Sequence, residues 1–423
     1  MGELKSMFLR AYGARVAPAV FGLTLWLMPN AGSGQPQDLK NMLFPDQGRR
    51  RGTIIIGKLV GHDDYRDLRV RLRGGEYVIT RASNSYPFEV LSFNPSKVEI
   101  RLDRYFGGRN SDSRRIVFKF FPNERQLMTS MILEQVDYAV FRTRSQASEV
   151  NRANPEVVVI PLKTPANRVE MLLYNLHHPV LSSVALRRAI SYAINKRKMV
   201  EELLQNDGLV ARGTPYESDS PYFARGLDDF KYNPKRAVEI LHTNGWDDLD
   251  GDGILERGRA KLSFNLAFEK GVLLEEQIAR RIKLDLFEIG VEIIPVSYTK
   301  IDLLKKLKSG DYEIVLYEHR FDESLDALYR FFADPRVSFI NFKNRNFNLI
   351  YHQYKKDEMA RALIPAAKRL QAILNRYTVA CFMFYRYYDY HLFNINKLGN
   401  FYDEKRAEVK PFDEWIIRPP IQR

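Results

Sequence analysis

Three groups of residues in this chain have types and spacings that could do chemistry. Asp248, Asp250 and Asp252 alternate ahead of Gly253, which is how a calcium loop opens, with successive oxygen ligands wrapping a hard cation. Such a loop needs a bidentate carboxylate at its twelfth position, and Arg259 stands there. A strand pattern follows where a helix would be required. The spacing therefore predicts a turn whose acids bond their own backbone. The seven histidines, at 62, 177, 178, 242, 319, 352 and 391, form no His-x-x-x-His pair, so no metal cluster is indicated. The single cysteine, Cys381, lies in an apolar aromatic run. It reads as a buried thiol rather than a nucleophile, and it has no partner for an intrachain disulfide. No Gly-x-Ser-x-Gly elbow, P-loop or dinucleotide fingerprint is present. These readings argue against an enzyme and call for no cofactor and no metal. The third group is Glu318-His319-Arg320-Phe321-Asp322, which follows the strand pattern 312–317. Ligands of open α/β sheets sit beyond the carboxyl ends of strands, so a carboxylate such as Asp322 at such an end could hold a polar molecule. The alternative makes Asp322 the N-cap of a helix running through Phe332.

The elements that must position these residues are legible from periodicity. Residues 171–173 form an apolar strand running into Tyr174-Asn175. His178-Pro179 makes a turn, and Ser182 or Ser183 caps a helix whose buried face carries Leu186, Ile190, Ala193 and Ile194. Asn195 caps a second helix, which Asn206-Asp207-Gly208 stops. Asn233-Pro234 opens a further helix, because proline at the first helical position loses no needed N–H. Strand 262–268, helix 273–289, strand 291–296, helix 301–307 and strand 312–317 then alternate, an order that favours a parallel sheet. A last helix is predicted over 357–374, followed by the aromatic strand 380–390. Before Tyr174, strands are predicted at 53–60, 68–72, 77–81, 86–93, 97–102 and 115–121. Asn123 then caps a helix running through Gln135.

Composition bounds the class. A chain of 423 residues with 45% hydrophobic and 12% aromatic residues is long enough for two or three packed domains. Its formal charge of +13 is spread along the whole length, and the densest cluster, Arg49-Arg50-Arg51, is short. With no zinc-ligand spacing and no RNA-recognition signature, a solvated basic surface explains this better than a nucleic-acid partner. Lys5, Arg10 and Arg15 precede the apolar run 16–28, and Pro29-Asn30 and Ala31-Gly32-Ser33 follow it. This reads as an export signal over residues 1–33 with a linker over 34–52. An uncleaved anchor is the alternative, although a membrane span needs ~20 apolar residues. Either way the body of the chain is expected to be periplasmic or extracytoplasmic.

Several runs carry a resemblance. Asn175, Pro179 and Val184-x-x-Arg187-Arg188-Ala189-Ile190-x-x-Ala193-Ile194 are similar to the extracellular solute-binding proteins of the oligopeptide/dipeptide/nickel family, family 5. Tyr105-Phe106-Gly107-Gly108 and Ile116-Val117-Phe118-Lys119-Phe120 fit as well. So does Val136-Asp137, while Ser83-Asn84-Ser85-Tyr86-Pro87 only approximates the family's glycine turn. The most specific match is Tyr232-Asn233-Pro234-Lys235-Arg236-Ala237 with Leu241, Gly245-Trp246 and the Asp-Gly-Asp-Gly-Ile-Leu segment. The resemblance, over about residues 80–416, implies an α/β fold of the type II periplasmic-binding-protein kind with two lobes. The first, shortened lobe would be 53–175 with 395–423, and the large α/β lobe 176–394, hinged near Asn175 and Asn394. It implies a receptor that gives a peptide or other small polar solute to the permease of an ABC importer, with no nucleic acid. Membrane contact would come only through the importer or an uncleaved N-terminal segment. In relatives an aspartate after the matching strand pairs with the ligand's ammonium group. Its position here is Asp322, with His319 at the family's tryptophan site and Arg320 between. Asn175, Tyr385 and Tyr387 complete the expected ligand-binding set. A scaffold or sensor that no longer transports, and an extracytoplasmic enzyme, are the alternatives.

Overall fold

The computed structural model describes residues 53–59, 68–72, 75–80, 88–102, 115–357 and 363–418. The expected signal 1–33, the linker 34–52, the turn at 83–87 and the loop at 105–108 lie outside the described residues. The chain divides into two compact units, one running to Leu162 and resuming at Tyr390, the other spanning Lys163–Asp389.

The first unit is built on a seven-stranded sheet. Thr53–Leu59 pairs in parallel with Arg115–Phe121. The hairpin Phe88–Asn94 and Lys97–Leu102 extends one side. Alternation in Lys97–Leu102 buries Val98, Ile100 and Leu102, as a half-covered strand should. Asn123 caps the helix Glu124–Ile132 through a bond from the Gln126 N–H to its Oδ1, 2.9 Å. That helix stops at Ile132, three residues before the expected end. Tyr390–Phe393 returns antiparallel to Tyr138–Phe141, and Trp415 is fully buried against this sheet.

In the second unit six strands run in the spatial order Gly208–Val210, Ala380–Arg386, Arg168–Tyr174, Ile314–Arg320, Ser263–Glu269, Glu292–Tyr298. Ser263–Glu269 is parallel to both Glu292–Tyr298 and Ile314–Arg320, as the β-α-β-α-β alternation predicts. Arg168–Tyr174 is antiparallel to its two neighbours, so the sheet is mixed. The central strand is covered on both sides: Leu172 and Tyr174 enter one core, Val169, Met171 and Leu173 the other. This is why the run reads as continuously apolar. Each such buried aliphatic contributes roughly 1.5–3 kcal/mol.

This pairing corrects the expected boundary. Residues 168–174 belong to the second unit, because their hydrogen bonds run to Ile314–Arg320 and Ala380–Arg386. The chain crosses between units at 162/163 and 389/390 rather than near Asn175 and Asn394. The helices are otherwise close to expectation. Ser183 caps Val184–Ala193 and Asn195 caps Lys196–Glu202. Asn233 caps Pro234–Thr243, and Gly310 closes Lys300–Ser309 with φ 73°. The helix expected over 357–374 is described over Leu363–Arg376, and a further helix, Arg345–Asp357, is not among those expected. Among the described residues no helix is long and apolar enough to cross a membrane.

Candidate ligand-binding site

Strand Ile314–Arg320 carries the expected residues His319 and Arg320. Ile314 and Leu316 are buried on one face and Val315 on the other, so the alternation fixes which way its polar end points. His319 lies opposite Val169, and Val169 lies opposite Tyr385, so the three form one row across the sheet. Beyond Arg320 the chain is pinned by the Phe321 N–H donating to the Asn167 carbonyl at 3.0 Å. Asn167 is itself clamped to Glu217 by reciprocal bonds of 2.8 and 3.1 Å.

Asp322 does not cap the helix that follows. Ser324 does: its Oγ accepts from the Ala327 N–H at 3.1 Å, and the helix is Leu325–Phe332. The Asp322 carbonyl accepts from the Ser324 N–H at 2.8 Å and from the Tyr216 hydroxyl at 3.0 Å. Those contacts hold the backbone while the carboxylate is exposed and has no partner among the described residues.

Beside it stands an aromatic wall. The His319 ring stacks on Phe331 at 4.4 Å and meets the Phe321 edge at 4.7 Å. Tyr317 lies 6.1 Å from Phe331. Burial in this wall drives the imidazole pKa down to about 4, against the upward pull of Asp322. His319 is therefore neutral at pH 7, an aromatic surface with a hydrogen-bonding edge. Arg320 is exposed at the strand's end.

The other three expected residues divide. Asn175 donates its amide to the Gly310 and Tyr312 carbonyls at 3.2 and 2.8 Å and accepts from the His177 N–H at 3.0 Å. It ties down the opposite end of the Ile314–Arg320 strand, roughly 20 Å from Asp322 at ~3.3 Å per residue. Tyr385 is 1% exposed, and its hydroxyl donates to the Thr214 carbonyl at 2.9 Å. It shares the His319 row but is spent inside the fold. Tyr387 is 38% exposed, its backbone N–H held by the Asp207 carbonyl at 2.9 Å. The structure thus groups His319, Arg320 and Asp322, leaves Tyr387 accessible, and gives Asn175 and Tyr385 structural duties.

A ring of charge at the same strand end escapes the sequence reading. Arg386 donates to Glu318 Oε1 at 3.0 and 2.6 Å and to Asp389 Oδ1 at 2.8 Å. Arg168 closes the ring, with Nη1 3.1 Å from Asp389 and Nε 3.3 Å from Glu318. Arg386 is 3% exposed, and Glu318 faces Glu170 across the pairing. Two carboxylates placed opposite one another need cations between them. The available signal was Glu318 itself, a charge in phase with the inward residues Ile314 and Leu316.

One group of three metal-capable side chains comes together among the described residues, Asp248, Asp250 and Glu256. Glu256, not position 259, closes the acidic loop. Lys261 already places its ammonium there, 3.2 Å from Glu256 and 3.7 Å from Asp250, and bonded to Asp252. The acids otherwise accept from their own backbone: Gly251 and Gly253 N–H donate to Asp248 at 2.8 and 3.1 Å, and Ile254 N–H donates to Asp252 at 2.9 Å. This is the structural turn that the spacing predicts.

Residues 76–337 match the family described as bacterial extracellular solute-binding proteins, family 5 Middle. The oligopeptide-binding protein AppA of Bacillus subtilis is 32% identical over 125 residues, 28% of this chain and 22% of the relative. The solved structure of AppA from Bacillus subtilis with a nonapeptide superposes with a TM-score of 0.66 at 17% identity, covering 79% of this chain and 66% of that one. NikZ from Campylobacter jejuni, solved with Ni(L-His), gives 0.64 at 17% identity, covering 78% and 67%. The chain thus matches about a fifth of the curated relative's length and 66% of that solved chain. The fold is the α/β type II periplasmic-binding-protein fold, and the chain belongs to family 5 of the bacterial extracellular solute-binding proteins.

Proposed function

We propose that this chain is an exported receptor that binds a peptide or similar small polar solute for an ABC importer, without chemistry of its own. The observation that carries the reading is Asp322. Its capping duty is taken by Ser324 and its backbone is held by Tyr216. Its carboxylate therefore serves no contact of the fold and stands next to the desolvated wall of His319, Phe321 and Phe331. A carboxylate beside aromatic rings suits an ammonium group, which gains a charge-assisted bond and a polarisable surface. Export follows from the basic, apolar and small-residue order of positions 1–33, and residues 1–33 would be removed.

The test begins with the natural solute, identified by mass spectrometry of protein purified without denaturation. Calorimetry then compares the wild type with Asp322→Asn, which keeps shape and removes charge. A charge-assisted bond is worth ~1.5–3 kcal/mol, so a loss of roughly 10- to 150-fold in affinity is expected. Unchanged affinity would remove the amine-anchor assignment. Protein that carries no solute and binds none from a peptide library would favour the scaffold.

A further inference from the structure

We propose that a groove on the second unit, walled by residues 212, 218, 223–227 and 229, is a separate site for a small organic anion carrying carboxylate or phosphate groups. Its volume is about 380 Å³, and Arg212, Ser218, Phe223, Arg225 and Asp229 line it. That volume lies within the ~300–1,000 Å³ of small-molecule sites.

Two buried amides on helix Leu363–Arg376 hold the segments that carry the groove's lining. Gln371, 0% exposed, accepts from the Thr214 hydroxyl at 2.8 Å and the Ala224 N–H at 3.2 Å, and donates to the Tyr222 carbonyl at 2.8 Å. Asn375 donates to the Gly213 and Asp228 carbonyls at 3.0 and 2.7 Å and accepts from the Asp228 N–H at 3.3 Å. Gly213 has φ +63°, and a Cβ there would lie 2.1 Å from the Asp228 carbonyl oxygen. The two walls are thus pinned in close approach, and a bound ligand would find them preorganised.

Charge bookkeeping selects the ligand. Asp228 is matched by Arg188 at 2.6 Å, and Asp229 has Lys231 at 3.8 Å. Arg212 and Arg225 are exposed and have no ion-pair or hydrogen-bond partner among the described residues. Two unmatched guanidinium forks on a fixed frame suit planar, bidentate oxyanions. The Phe223 ring beside them would cover the ligand's carbon skeleton. This complements the strand-end site, where a carboxylate awaits a cation, and the two share no residue.

Isothermal titration of the full chain at low ionic strength tests the assignment, with citrate and inorganic phosphate as probes. Saturable binding of at least one is expected. It should weaken about tenfold or more in Arg212→Gln and in Arg225→Gln and fall as salt rises. It should persist in Asp322→Asn, which separates this site from the proposed receptor site. Citrate alone would identify a carboxylate ligand, phosphate alone a phosphate-bearing one. Absence of saturable binding of both at millimolar concentration overturns the proposal. So does binding retained when both arginines are replaced, with the circular dichroism spectrum unchanged.

Discussion

His319 carries the pH behaviour of the strand-end site. Its imidazole is buried against Phe321 and Phe331, and that burial drives its pKa from 6.5 down to about 4. In the unfolded chain the ring takes up a proton near pH 6.5; in the fold it resists until about pH 4. The associated stability is complete above pH 6.5 and is lost as the pH falls through 4. At ~1.4 kcal/mol per pH unit, the loss from this one residue reaches about 3 kcal/mol. The melting temperature should therefore drop across that window, and His319→Phe, which keeps a ring in the stack, should flatten the drop. An imidazole seen by NMR to titrate near its ordinary value would refute the burial argument. His319, Arg320 and Asp322 are legible in the sequence because neighbours at a strand end stay together whatever the rest of the fold does. Asn175 and Tyr385 are not legible in this way. Whether an amide or a phenol is free depends on which carbonyl comes near it. Those carbonyls belong to Gly310, Tyr312 and Thr214, each more than a hundred positions away in sequence.

Caps and turns, at the scale of the element, are where local chemistry decides most. The sequence offers Asp322 as the cap of the helix that runs through Phe332. The structure chooses Ser324, whose Oγ accepts at 3.1 Å. That choice releases Asp322. Ser324→Ala should cost ~1 kcal/mol of stability, whereas Asp322→Ala should leave the melting temperature nearly unchanged. The opposite pattern would return Asp322 to a structural role and weaken its assignment as a ligand anchor. The acidic loop shows the limit of spacing arguments. Position 259 offers no closing carboxylate, and Lys261 and Glu256 complete the turn because Glu256–Arg257 and Ala260–Lys261 pair as a short hairpin. Likewise the β-α-β-α-β alternation identifies the parallel strands. The apolar run at 171–174 reads as a strand, but nothing in the alternation shows that Arg168–Tyr174 pairs antiparallel at their edge. Arg345–Asp357 is missed for another reason. Its sequence, RNFNLIYHQYKKD, is dominated by polar residues, so packing rather than propensity holds it helical, with Phe347 buried and Tyr351 stacked on Tyr329 at 3.8 Å.

For the whole molecule, the two units differ in how the chain builds them. Lys163–Asp389 is one continuous stretch, and it supplies every strand of the six-stranded sheet together with the cores on both its faces. The other unit is assembled from two stretches far apart in sequence. The sequence indicates that the C-terminal tail returns to the first unit, through the family resemblance. It places the crossings elsewhere, because only strand pairing shows that residues 168–174 belong to the six-stranded sheet and 390–393 to the seven-stranded one. A fragment comprising residues 163–389 should therefore fold alone and melt cooperatively. A fragment ending at Leu162 should not. Tyr388–Asn394 stands between Tyr138–Phe141 and Val157–Lys163 in the sheet, so its removal leaves Val157–Lys163 unpaired and Tyr138–Phe141 with a neighbour on one side only. Trp415 also goes. It is 0% exposed and packs 5.2 Å from Tyr138, 5.5 Å from Phe393 and 4.7 Å from Phe412. Losing one buried Trp side chain costs ~3–5 kcal/mol, against a total of ~5–15 kcal/mol for a typical domain. With an interior strand lost as well, no margin remains. Adding residues 390–423 in trans to the shorter fragment should restore a cooperative transition, read by circular dichroism and by burial of the Trp415 fluorophore. Cooperative melting of the fragment ending at Leu162 by itself, or a non-cooperative melt of residues 163–389, would show that the units are not divided where the strand pairing places the boundary.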